Sequence, residues 1–82
     1  MKKFIYFSAP WCGPCKMFGP IMERVSQSGI PVEKINVDNA PQVAAAYMVK
    51  SVPTTILVDE KGAEISRFVG AKSEQQIKEI YG

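Results

Sequence analysis

The sequence predicts a single α/β domain over residues 1–82, ordered βαβαββα, with helices on both faces of a four-stranded mixed sheet. Three observations predict it. Phe4-Ile5-Tyr6-Phe7 is a consecutive apolar run without alternation, the pattern of a central strand covered on both faces. A helical apolar pattern separates that run from a second strand, and a connection of this length gives a right-handed crossover and parallel pairing. Asp59-Glu60-Lys61-Gly62 lies between two further strand-like runs and reads as a hairpin, with Gly62 at the left-handed position.

Taken in order, Lys3 to Ser8 is the first strand, broken by Ser8-Ala9-Pro10. From Gly13 to about Gln27 the pattern turns helical, with Met17, Phe18, Ile21, Met22 and Val25 expected on one face. Pro20 removes one hydrogen bond inside this helix, so a kink rather than an end is expected there. Val32 to Val37 is the second strand. Asp38-Asn39-Ala40-Pro41 starts a short second helix, whose Ala44, Ala45 and Ala46 allow close packing on the sheet. Val49 to Pro53 connects to two strands, Thr54–Val58 and Ala63–Phe68. Ser73 and Gln76 are spaced as a capping box before a last helix that buries Ile77, Ile80 and Tyr81.

Composition narrows the class. Apolar residues make up 46% of the chain, which suits one globular core with no room for a second. The net charge of +2 comes from scattered residues with no basic cluster, so nucleic acid is not an expected partner. Met1-Lys2-Lys3 ahead of Phe4–Phe7 imitates a signal peptide, but the apolar run is too short, and nothing approaches a membrane span. A reducing cytoplasmic setting is expected, and there a cysteine pair is more often catalytic than structural.

The chemistry concentrates in Trp11-Cys12-Gly13-Pro14-Cys15, which holds the only tryptophan and both cysteines. Gly13 permits close backbone approach, and Pro14 suits a first helical turn. Cys12 then falls at the helix N-terminus, where free N–H groups and the macrodipole favour a thiolate. This makes Cys12 the expected nucleophile, partly exposed with a depressed pKa. Cys15, one turn inside the helix, is the expected resolving thiol, more buried and with a higher pKa. The implied chemistry is thiol–disulfide exchange, with the reversible Cys12–Cys15 disulfide in place of a cofactor. Structural zinc wants four Cys or His ligands, whereas this chain has two cysteines and no histidine. A purely structural disulfide is also disfavoured, because so short a loop excludes little unfolded-chain entropy.

These residues resemble the thioredoxin family. Phe7-Ser8-Ala9-Pro10-Trp11-Cys12-Gly13-Pro14-Cys15-Lys16-Met17 is similar to its active-site segment, and Pro20 matches its kinking proline. Lys34-Ile35-Asn36-Val37-Asp38 is similar to a further family segment, Ser51-Val52-Pro53-Thr54 resembles its cis-proline loop, and Val69-Gly70-Ala71 its second substrate-facing loop. The resemblance implies a thioredoxin-like fold and a protein-disulfide reductase. It implies a cis Val52–Pro53 bond whose backbone pairs with an extended substrate like an added strand, with Gly70 and Ala71 as the opposite lip. Trp11 is then an apolar contact for substrates. Implied partners are disulfide-containing proteins and a thioredoxin-reductase-type electron donor, with the chain acting as a monomer.

Departures from the pattern matter as much. The family's extra N-terminal strand and helix have no counterpart before Lys3, which leaves a glutaredoxin-sized core. Its buried Asp on the first strand is replaced by Tyr6, and a family tryptophan by Ser8. Tyr6, with an unperturbed pKa of about 10, is a poor base. It is expected to be structural, ordering water or Lys34, while Lys34 is a candidate for proton or charge control. Two rivals stand beside the reductase reading: a glutaredoxin-like enzyme recharged by glutathione, and a non-catalytic docking module.

Overall fold

The computed structural model describes residues 1–82. Its elements are β1 (Lys3–Ser8), α1 (Gly13–Gln27), β2 (Val32–Asn36), α2 (Pro41–Ala46), β3 (Thr54–Val58), β4 (Glu64–Val69) and α3 (Glu74–Tyr81). The sheet order is β2-β1-β3-β4, with β1 and β2 parallel and the other two pairings antiparallel. β1 is therefore central, as its unbroken apolar run predicts.

Because successive strand side chains point to opposite faces, β1 feeds two cores. Phe4 and Tyr6 join Phe18, Met22 and Val25 of α1, Leu57 of β3, Phe68 of β4 and Ile77 of α3. Ile5 and Phe7 join Ile56, Val58 and Ala44 of α2 on the other face. The helices thus cover both faces of the sheet. The Tyr6 and Phe18 rings meet edge to face at 5.5 Å between centroids, which locks the start of α1 against β1.

Several boundaries differ from expectation for identifiable reasons. β2 stops at Asn36, whose Oδ1 accepts the Asp38 N–H at 2.9 Å and turns the chain. β4 starts at Glu64, one residue late. Asp59 Oδ1 takes the N–H groups of Lys61 and Ala63, and a bulge shifts the register at Leu57/Val58. Gly62 adopts φ +84°, as the hairpin requires. Met17 is 80% exposed rather than part of the buried stripe. At about 100° per residue it lies a quarter-turn off Phe18, beyond the sector that Phe18, Met22 and Val25 bury. Of the α2 alanines only Ala44 is buried; the turn of the helix carries Ala45 and Ala46 to solvent.

α1 continues through Pro20 to Gln27. The capping box forms in full: Gln76 N–H donates to Ser73 Oγ at 3.2 Å, and Ser73 N–H to Gln76 Oε1 at 3.0 Å. Ile77 is buried, while Ile80 and Tyr81 are half-buried against the same core. No helix is long and apolar enough to cross a membrane.

Candidate active site

The β1–α1 turn carries the two cysteines, joined by a disulfide with Cα atoms 5.3 Å apart. Cys12 is the N-cap of α1, with extended backbone (φ −88°, ψ 112°), and Pro14 occupies the first turn. Its Sγ accepts the Cys15 backbone N–H at 3.2 Å. A sulfur in this position takes one of the orphan donors of a helix start and feels the positive end of the macrodipole. Opening of the disulfide therefore leaves Cys12 in surroundings that favour a thiolate, whereas Cys15 lies within the helix and has no such donor group.

One expectation about the thiols is corrected. Cys12 is not more exposed than Cys15: the residues are 4% and 5% exposed. Capping turns the Cys12 sulfur inward, and Ala9, Val37 and Val52 pack around the pair. Electrostatic position, not accessibility, distinguishes the two.

Val52–Pro53 is a cis peptide bond. The Val52 carbonyl oxygen lies 3.6 Å from Cys12 Sγ, so this loop borders the nucleophile position. Pro53 is buried, and its carbonyl accepts the Gly70 N–H at 2.9 Å. That bond ties the Gly70-Ala71 segment to the Val52-Pro53 loop. Gly70 adopts φ +87°, a conformation glycine takes without penalty. The structure thus brings Cys12, Val52, Pro53 and Gly70 together, with Ala71 following in sequence.

Trp11 is 68% exposed beside this group. Its indole N–H donates to Asp38 Oδ2 at 3.1 Å and Oδ1 at 3.2 Å. Sequence reasoning missed this role of Asp38, which was legible as part of a helix start and of the family-like Lys34–Asp38 segment. The anchor fixes an aromatic surface that would otherwise swing freely.

Tyr6 is buried beneath α1, and its hydroxyl donates to the Cys15 carbonyl at 3.2 Å. It therefore holds the helix backbone instead of ordering Lys34, because its ring reaches past the strand into the α1 face. Burial raises its pKa, and the neighbouring Ser8 hydroxyl opposes that rise. Tyr6 is accordingly neutral near pH 7 and is no base. Lys34 is exposed on β2 and lines the same hollow as Tyr6, Ser8, Cys15 and Lys16. No group of three or more His, Cys, Asp or Glu side chains is arranged to hold a metal ion.

Comparison with known proteins decides the family. The model of the thioredoxin family matches residues 2–81. The chain belongs to the thioredoxin family. Thioredoxin 1 of a Nostoc species is 41% identical over 68 residues, covering 79% of this chain and 63% of the relative. The bifunctional thioredoxin reductase/thioredoxin of Mycobacterium leprae is 41% identical over 71 residues, covering 83% of this chain but 15% of that protein. Among solved structures, a mutant thioredoxin from Halobacterium salinarum superposes with a TM-score of 0.89 at 35% identity, covering 96% of this chain and 70% of that one. The chain thus spans about 63% of the length of the Nostoc relative. The thioredoxin-like fold expected from the sequence is the fold observed.

Proposed function

We propose that this protein is a thiol–disulfide oxidoreductase that reduces disulfides in other proteins. One observation carries the reading: Cys12 Sγ accepts the Cys15 N–H at the N-terminus of α1, beside the cis Val52–Pro53 loop. Reduced Cys12 attacks a substrate disulfide as the thiolate, forming a mixed disulfide and releasing one substrate thiolate. Cys15 then attacks Cys12 Sγ, forming the Cys12–Cys15 bond and releasing the second thiolate. Gly13 and Pro14 keep the two sulfurs one turn apart. An extended substrate lies along Val52 and Pro53, between Trp11 and the Gly70-Ala71 lip, and pairs with backbone like an added strand. Lys34, which lines the same hollow as Cys15, favours the anionic state of the pair by its charge, while neutral Tyr6 supports the helix.

The protein would work as a monomer in the cytoplasm, recharged by a thioredoxin-reductase-type donor. The Mycobacterium leprae relative, named as reductase and thioredoxin in one protein, supports that pairing. Insulin reduction tests the reading: Cys12→Ser should abolish turnover, and thioredoxin reductase with NADPH should sustain the native protein. Full turnover by the Cys12→Ser variant would refute it, and turnover sustained by glutathione alone would replace the proposed donor.

A further inference from the structure

Two hollows meet behind the disulfide. The smaller, of about 290 Å³, has Tyr6, Ser8, Cys15, Lys16, Lys34 and Asn36 among its lining residues. The larger, of about 500 Å³, shares Tyr6, Cys15, Lys16 and Lys34 and adds Glu23 and Ser26. Neither is lined by Cys12, Trp11, Val52 or Pro53, so both lie off the groove proposed for substrates.

Their position bears on a step that any resolving thiol must take. Before Cys15 attacks, its S–H bond breaks and a proton departs. The thiolate then forms the Cys12–Cys15 bond as the Cys12–substrate bond breaks, and the substrate sulfur leaves with the electron pair. Cys15 is only 5% exposed, so its proton needs an acceptor at hand. Among groups facing this space, β1 offers neutral Tyr6 and Ser8, α1 offers Lys16 and Glu23, and β2 offers Lys34. From β3, the register partner of Tyr6 is Thr55, a buried hydroxyl without a hydrogen-bond partner. A lysine ammonium is a donor with no acceptor site, and hydroxyls are poor bases near neutrality. Glu23, exposed on α1, reaches only the larger hollow. Water fits instead. A water occupies roughly 30 Å³ and needs two or more polar partners, which Asn36 and Lys34 provide.

We propose that the smaller hollow is the proton exit of Cys15, and that Ser8, by its small size, is the positioning residue that keeps it open. The proposal rests on Cys15 being the resolving thiol. Ser8 closes β1 at 5% exposure, so a larger side chain there must occupy the hollow rather than bulk solvent.

The test is single-turnover resolution followed by stopped flow. Reduced protein reacts with an aromatic disulfide such as dithiobis-nitrobenzoate, and the second thiolate released reports the Cys15 attack. Ser8→Ala keeps the hollow and should resolve within about twofold of native. Ser8→Leu fills it and should slow resolution about tenfold, less than the roughly hundredfold or more that a lost general base costs, because the path only relays the proton. Imidazole, a small diffusible base, should accelerate the native protein and Ser8→Ala but not Ser8→Leu. Glu23→Gln should leave the rate unchanged. Native-rate resolution by folded Ser8→Leu, or a large loss in Glu23→Gln, would overturn the proposal. Should Ser8→Leu fail to fold, Ser8→Val is the milder filling variant suited to a strand and is judged identically. First-thiolate release by Cys15→Ser separates the two claims. Its absence would defeat the assignment of Cys12 as nucleophile, whatever Ser8 does.

Discussion

Replacing Tyr6 by Phe removes a single hydroxyl from a buried site and separates support from chemistry. The hydroxyl donates to the Cys15 carbonyl at 3.2 Å, and Tyr6 is 2% exposed. A net intramolecular hydrogen bond contributes about 1 kcal/mol, and the ring packing against Phe18 is retained in the variant. With an unfolding entropy of about 2.1 cal/mol/K per residue over 82 residues, that loss lowers Tm by roughly 6 °C. The pH dependence has a definite sign. Burial raises the folded-state pKa of Tyr6 above the unfolded value of about 10. Its contribution is complete below that unfolded value and is lost as pH rises through the folded pKa, because only the unfolded chain ionises there. The stability advantage over Tyr6→Phe should therefore hold at neutral pH and shrink above about pH 10. Urea unfolding at several pH values measures this, and insulin reduction at a temperature where both proteins are folded measures turnover, expected to stay within about twofold. Loss of most turnover would show that the hydroxyl takes part in proton transfer, and an unchanged Tm would show that its hydrogen bond adds nothing.

Three further outcomes are expected. Asp38→Ala frees the Trp11 indole, so fluorescence of this sole tryptophan should show greater mobility and KM for a protein disulfide should rise about threefold to tenfold with little change in kcat. Ser73→Ala removes the capping box of α3 and should destabilise by about 1 kcal/mol in urea melts without altering turnover. The Arg67 side chain holds the Glu64 carboxyl below its ordinary pKa, chiefly by hydrogen bonding. That contribution is present above the unfolded value of about 4.3 and is lost as pH falls through the lower folded value. The stability gap between the native protein and Glu64→Gln should accordingly close on acidification below pH ~4.

Much of the fold was legible because local signals agreed with one another. The unbroken run Phe4–Phe7 announced a strand covered twice, and both cores confirm it. The spacing of Ser73 and Gln76 announced a cap that forms in full. The motif likewise placed Cys12 at a helix start, since Gly13 and Pro14 suit that turn. Long-range contacts were not legible. Trp11 meets Asp38, and Tyr6 meets the Cys15 carbonyl, only after β1, α1 and the β2 end have been assembled. Met17 was misplaced because a helical stripe has an edge, and periodicity alone does not set its width. The exposure of Cys12 was misjudged for a related reason: a capping sulfur turns toward helix N–H groups, and the wrapping by Ala9, Val37 and Val52 is tertiary. The hollow behind Cys15 has no sequence signature at all, because its walls come from β1, α1 and β2.

Mass spectrometry of the Cys15→Ser variant incubated with a disulfide-containing protein is the most direct measurement of the central claim. Without a resolving thiol, a covalent adduct should accumulate at one equivalent, and peptide mapping should place it on Cys12. Failure of the variant to form any adduct while remaining folded would contradict the assignment of Cys12 as the attacking sulfur.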